Sequence, residues 1–189
     1  MSEIVDEKMW VDYTQRNEDA FRCVGLINQI VKDLNCKSIL EVGCNVGNNL
    51  MYFRGLDVHG IDSSHYAINL AEKKYPFVKF HCGQAQNLPY TKDSFDMVFT
   101  RGMIIHIPPI ERDRIRDELF RVSNRYIMNI EYYNNLEIAV NWREYGDKYL
   151  WYCNMSKRWK NSKVKILQDY QIPLEIDQDN VRLTLVEKM

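Results

Sequence analysis

The chain has 189 residues, 46% apolar and 27% charged, which fits a single domain spanning 1–189 and excludes a disordered or fibrous chain. Its formal net charge of −1 gives no overall electrostatic drive toward nucleic acid or a membrane surface. Its five cysteines (Cys23, Cys36, Cys44, Cys82 and Cys153) are odd in number and contain no C-x-x-C, which argues against a disulfide framework or a zinc site. They fit reduced, buried thiols in a cytoplasmic protein, and no metal site is read. The start, MSEIVDEKMW, is acidic and lacks the apolar run of a signal peptide. No apolar run approaches the ~20 residues that span a bilayer. A basic cluster at Lys157, Arg158, Lys160, Lys163 and Lys165 reads as a solvated helix end and strand edge, with an RNA-docking surface as the alternative.

In chain order, residues 1–35 form an N-terminal cap and helix. Phe21, Val24, Ile27, Val31 and Leu34 fall three or four apart, which predicts an amphipathic helix over 18–34. SILEV (38–42) is a short apolar strand, followed by a turn and helix-type sequence. LDVHGID (56–62) is a second strand, and Ser64 is placed to cap a helix carrying Ala67, Ile68 and Ala71, with Pro76 beyond its end. FVKFHCG (77–83) and SFDMVFTRG (94–102) are the third and fourth strands. A helix over 110–122 buries Ile115, Leu119 and Val122, and RYIMNIEYY (125–133) is the fifth strand. After an aromatic insertion at 132–160 come two closing strands. Their link, EIDQDN, is too short for a helical crossover and predicts antiparallel pairing. Alternating strands and helices predict an α/β fold: a seven-stranded, mainly parallel sheet with an antiparallel last strand and helices on both faces. Ligands of such sheets sit at the carboxyl ends of the strands.

The stretch EVGCNVGNN (41–49) is the most informative. Glycine in such a turn supplies φ > 0 and close backbone approach to a ligand. A dinucleotide fingerprint would need glycine at Asn45 and Asn48, and both are asparagine. Asparagine is one of the few other residues that visits the left-handed region. Asn45 is therefore expected in a glycine-like conformation.

With Glu41 before the turn and Gly43 and Gly47 within it, this stretch resembles the first motif of the class I S-adenosylmethionine-dependent methyltransferases. The resemblance implies a Rossmann-like fold, S-adenosyl-L-methionine as cofactor and S-adenosyl-L-homocysteine as product. It places Glu41, Gly43, Cys44, Asn45 and Gly47 around the cofactor's amino-acid end. Asp62, with Ser63 beside it, falls where the family binds the ribose hydroxyls. GQAQNLPY (83–90) resembles the adenine-binding motif through Gln84, Ala85 and Gln86, with Gln84 in place of the usual acid. SFDMVFTRGMIIHI resembles the fourth-strand motif and puts Arg101 beside the cofactor. Tyr13, Arg16 and Asn17 are polar residues before the first helix, in the N-terminal segment that covers the cofactor in this fold; Arg16 is a candidate partner for its carboxylate, with a solvated helix start as the alternative.

A narrower resemblance, in MWVDYTQRN (9–17), RVSNRYIMNIEYYN (121–134) and WREYGDKYLW (142–151), is to methyltransferases associated with pseudaminic acid biosynthesis. It implies a small polar acceptor, a sugar or nonulosonic acid. Tyr133, Trp142 and Arg143 are the candidate acceptor contacts: rings to pack C–H faces and a guanidinium for a carboxylate. Tyr149 and Trp159 in the same tract read as core. His106 and Tyr132 are candidate bases by position, with a structural turn histidine as the alternative for His106. His59 and His81 read as structural, and His65 as solvated. Pro108-Pro109 is flanked by Ile107 and Ile110, which breaks the motif of amino-methylating nucleic-acid enzymes. A non-catalytic binding module and a methyltransferase acting on protein or RNA remain the alternative readings.

Overall fold

A computed structural model of the protein describes residues 7–20, 23–142, 149–160 and 162–189. Helices α1 (Glu7–Asn17) and α2 (Val24–Asp33) precede β1 (Ser38–Val42), β2 (Asp57–Asp62), α3 (His65–Lys74), β3 (Lys79–Cys82) and β4 (Phe95–Arg101). Then come α4 (Arg112–Val122), β5 (Ser123–Tyr132), β6 (Ile138–Asn141), β7 (Tyr149–Tyr152), α5 (Met155–Trp159), β8 (Val164–Gln171) and β9 (Val181–Lys188). The main sheet has seven strands in the order β3-β2-β1-β4-β5-β9-β8. Strands β1 to β5 pair in parallel, and β9 runs antiparallel to both β5 and β8. This is a Rossmann-like α/β fold, with the expected antiparallel final strand.

Alternate strand residues feed two cores, as a parallel sheet covered on both faces requires. Ile39, Met97, Phe99 and Met128 pack with Ile27 and Val31 of α2 and Ile68 and Ala71 of α3. Leu40, Val98 and Ile127 pack with Ile115, Leu119 and Val122 of α4 and Trp159 of α5. Strand order reverses between β1 and β4, which opens the crevice where ligands of such sheets bind.

Three local expectations change. The helix expected over 18–34 covers only Val24–Asp33, because Cys23 stands at its N-cap in the left-handed region (φ 59°), and Phe21 lies outside the described residues. The helix expected after the glycine turn is one 3-10 turn, Asn48–Leu50, entered through Gly47 at φ 76°. The tract 132–160 is partly ordered as a two-stranded sheet, β6 against β7, which the sequence pattern did not reveal. Trp159 is 1% exposed and its indole donates to Asn129 Oδ1, as expected of a core ring. Among the described residues no helix is long and apolar enough to cross a membrane, and no cluster of His, Cys, Asp and Glu is placed to hold a metal ion.

Candidate active site

A cavity of about 410 Å³ opens at the carboxyl ends of β1, β2, β4 and β5. Its floor is the turn after β1. Gly43 (φ 77°) and Cys44 both donate their backbone N–H to Ile61 O, at 2.8 and 3.0 Å, so β1 is stitched to β2 where it leaves the sheet. A Cβ on Gly43 would lie 2.3 Å from Met103 Cγ, which shows how closely the chain after β4 packs on this turn. Asn45 has φ 47°, the glycine-like conformation expected of it. Its N–H donates to Asp62 Oδ2 at 2.8 Å. Asp62 Oδ1 accepts from Ser64 N at 3.0 Å, and Ser64 Oγ in turn caps α3 by accepting from Ala67 N at 3.2 Å. Burial pushes the Asp62 carboxyl up, and the N–H groups of Ser64, Asn45 and Ser63 oppose that. The structure thus brings Gly43, Cys44, Asn45, Asp62 and Ser63 together on one side of the cavity, with Gln84, Ala85 and Gln86 along its edge.

Glu41 lies behind this floor and does not line the cavity. It is 1% exposed; Oε1 accepts from Asn49 Nδ2 at 2.6 Å, and Oε2 has no hydrogen-bond partner among the described residues. Burial raises it to about 8, with the neighbouring Asp62 adding to the rise and the Asn49 bond opposing it. Gly47 likewise packs away from the cavity, against Phe80. Arg101 lines the cavity, but its guanidinium is held by Asp177 at 2.5 Å and Asp179 at 3.1 Å. Cys23 Sγ donates to the same Asp177 oxygen at 2.9 Å. Burial keeps the cavity-lining Cys44 thiol protonated by raising it well above its ordinary value.

The opposite wall is aromatic. Trp10 and Tyr13 of α1, His106 from a 3-10 turn after β4, and Trp142 just past β6 all touch one another, with ring centroids 4.8–6.2 Å apart. Burial drops His106 to about 4, so its imidazole is neutral at neutral pH, and its Nδ1 has no partner among the described residues. Tyr132, at the end of β5, also lines the cavity and packs on Tyr152, with centroids 5.7 Å apart.

The remaining expected contacts fall elsewhere. Arg16 sits on the exposed side of α1 and pairs with Asp12 at 3.1 Å, outside the cavity lining. Tyr133 is also outside: it lies under the Arg182 guanidinium and donates to Asn135 Oδ1. Arg143 lies outside the described residues. In the basic cluster, Arg158 is spent on Asp113 and Glu137, and Lys157 on Asn135 O.

Tyr13 and Asn17, expected before the first helix, lie on α1, and Trp10 and Thr14, which were not singled out from the sequence, line the cavity beside them. Positions 10, 13, 14 and 17 are one face of a helix, a spacing that marks them once α1 is recognised. The two asparagines that break the glycine pattern explain how this helix is held. Thr14 Oγ1 donates to Asn45 Oδ1 at 3.0 Å. Asn48 Nδ2 donates to Glu18 O and Ala20 O at 2.8 and 3.1 Å, while its Oδ1 accepts from Tyr75. The turn therefore anchors the N-terminal segment with the side chains that glycine would lack.

Residues 39–125 match the family model described as a methyltransferase domain. Over 95 residues, 46% of this chain, the protein is 30% identical to a sterol 24-C-methyltransferase of Pneumocystis carinii, covering 25% of that protein. The chain spans 25% to 34% of the length of the curated relatives it matches. Among solved structures, an S-adenosylmethionine-dependent methyltransferase of Methanosarcina mazei aligns with TM-score 0.72 at 20% identity, over 85% of this chain and 97% of that one. A 1,6-didemethyltoxoflavin-N1-methyltransferase of Burkholderia thailandensis, solved with its substrate and S-adenosylhomocysteine, aligns with TM-score 0.76 at 12% identity, over 97% and 87% of the two chains.

Proposed function

We propose that the protein binds S-adenosyl-L-methionine across the ends of β1 and β2 and transfers its methyl group to a small polar acceptor, a sugar or nonulosonic acid, leaving S-adenosyl-L-homocysteine. The observation that carries this reading is the turn with left-handed Gly43 and Asn45 beside Asp62, all lining one cavity. The residues present fit the cofactor. A carboxylate has about four acceptor positions, so Asp62 can serve ribose hydroxyls as well as the N–H groups it already accepts. The methyl-transferase match over 39–125 and the relative solved with S-adenosylhomocysteine support the same assignment.

The sulfonium of the cofactor supplies a methyl group on an already activated leaving group. The chain's task is then alignment and exclusion of water. A hydroxyl or amine acceptor would have to give up a proton as it takes the methyl group. Tyr132 and the neutral His106 line the cavity as candidate proton acceptors. Trp10, Tyr13 and Trp142 line the cavity, and aromatic rings suit the C–H faces of a sugar ring. Incubation with S-adenosylmethionine and a panel of sugars and nonulosonic acids, followed by mass spectrometry, tests the acceptor: a singly methylated product is expected. No product from any of them, in protein that binds S-adenosylhomocysteine, overturns the acceptor class.

A further inference from the structure

Outside the residues already assigned, one charged side chain connects the segments that form the aromatic wall. Arg112, the first residue of α4, is 1% exposed. Its Nε donates to Ile107 O at 2.9 Å, its Nη2 to Ile104 O at 3.1 Å and Trp151 O at 2.5 Å, and its Nη1 to Glu137 Oε1 at 3.0 Å. A guanidinium taken fully out of water is costly unless its donors are met, and here both nitrogens at the tip and the Nε find acceptors. Those acceptors are not neighbours in sequence. Ile104 and Ile107 bracket the turn that carries His106, whereas Trp151 lies on β7 next to the cavity-lining Leu150.

The wall needs such a tie. The β6–β7 pair forms its own two-stranded sheet, and an isolated hairpin is marginal in water. Among the described residues it is also linked to the main sheet through Cys153, which bonds Tyr132 O and Asn134 N, and through Tyr152, which packs on Tyr132. On its inner side, the turn after β4 is held by Glu131, which accepts from Met103 N at 3.3 Å and Ile104 N at 3.1 Å. Glu131 thus fixes the N–H groups of the turn and Arg112 its carbonyls. Arg112 alone among these reaches across to the hairpin that leads to Trp142.

We infer that Arg112 is a positioning residue for the acceptor side of the cavity: by holding the carbonyls of Ile104, Ile107 and Trp151 in one guanidinium fork, it sets His106 and the β6–β7 hairpin against each other without touching the cofactor floor. This rests on the proposed function for its meaning, but its geometry can be tested separately. A flat, five-donor fork matches this acceptor set, and a lysine ammonium does not.

The test combines histidine side-chain NMR titration with calorimetric titration of S-adenosylhomocysteine on wild type, Arg112→Met and Arg112→Lys. In wild type, His106 is expected to titrate near 4. In Arg112→Met the turn loosens, water reaches the ring, and the midpoint moves toward 6.5, with Arg112→Lys in between. S-adenosylhomocysteine affinity stays at the wild-type value in both. If Arg112→Met does not fold, Arg112→Lys carries the test, and Glu137→Gln, which keeps an acceptor for Nη1, should give the smallest shift. An unmoved His106 midpoint in a folded Arg112 variant overturns the positioning role, as does a loss of cofactor-product affinity matching the His106 shift. Failure of wild type to bind S-adenosylhomocysteine overturns the functional reading instead and leaves the His106 result to judge Arg112.

Discussion

At the turn after β1 the backbone itself makes the site, whereas at the opposite wall four side-chain rings brought from three separate segments make it. The floor is built from consecutive residues whose N–H groups are fixed by Ile61 O and Asp62, so its shape follows from local chain conformation. The wall exists only after α1, the turn after β4 and the β6–β7 hairpin have docked. The floor should therefore respond to changes in backbone freedom and buried charge, and the wall to changes in what holds its pieces together.

The largest expected effect lies where the floor meets buried charge. Arg101→Met strands Asp177 and Asp179 without their cation, and breaking such a buried pair costs about 3–5 kcal/mol. Urea unfolding should show that loss, and a change near zero would mean the pair is not formed in solution.

Glu41 gives a smaller effect that depends on pH. The folded state holds its proton up to about 8, while the unfolded chain has lost it above 4.5, so stability falls as pH rises through that range. Below 6.5, the depressed His106 contributes the opposite slope, since there the unfolded chain takes up a proton that the folded one refuses until about 4. Glu131, raised to about 6, also has its effect below that point. Between 6.5 and 8 the free protein should lose up to about 1.4 kcal/mol per pH unit. Glu41→Gln should flatten that slope; a mutant with the wild-type slope would contradict the assignment.

Gly43→Ala adds a Cβ at a left-handed residue and against Met103, a strain of about 1–3 kcal/mol. Calorimetry should show weaker S-adenosylhomocysteine binding, whereas unchanged affinity would mean the turn does not define the floor. The smallest effect separates conformation from anchoring. Asn45→Gly keeps the left-handed backbone and removes only the bond from Thr14, worth about 0.5–1.5 kcal/mol. Hydrogen exchange should speed up in α1 and leave β1 and β2 unchanged; equal change in both would tie the helix to the floor by more than this bond.

The same contrast explains what could be read from the sequence. The parallel strands, the capped α3 and the left-handed Asn45 were legible because each depends on short-range periodicity or on one residue's backbone preference. The residues of 43–63 and 84–86 that line the cavity were marked by the resemblance to the methyltransferase motifs. The wall was only half legible. His106, Tyr132 and Trp142 stood out as residue types, but Trp10 and Thr14 were hidden because α1 is a mostly polar helix whose cavity-facing side mixes aromatic and polar residues. Arg16 looked like an anion partner, yet it falls on the opposite side of that helix. Arg112 gave no local signal, since its partners are three carbonyls and one carboxylate, up to 39 positions away.

The most direct test of the two-part site is a calorimetric titration of S-adenosylhomocysteine into wild type, Asp62→Ala and Trp142→Ala. The account predicts binding to wild type, equal binding to Trp142→Ala and loss of binding to Asp62→Ala. Absence of wild-type binding up to millimolar ligand, or equal affinity in Asp62→Ala, would contradict it.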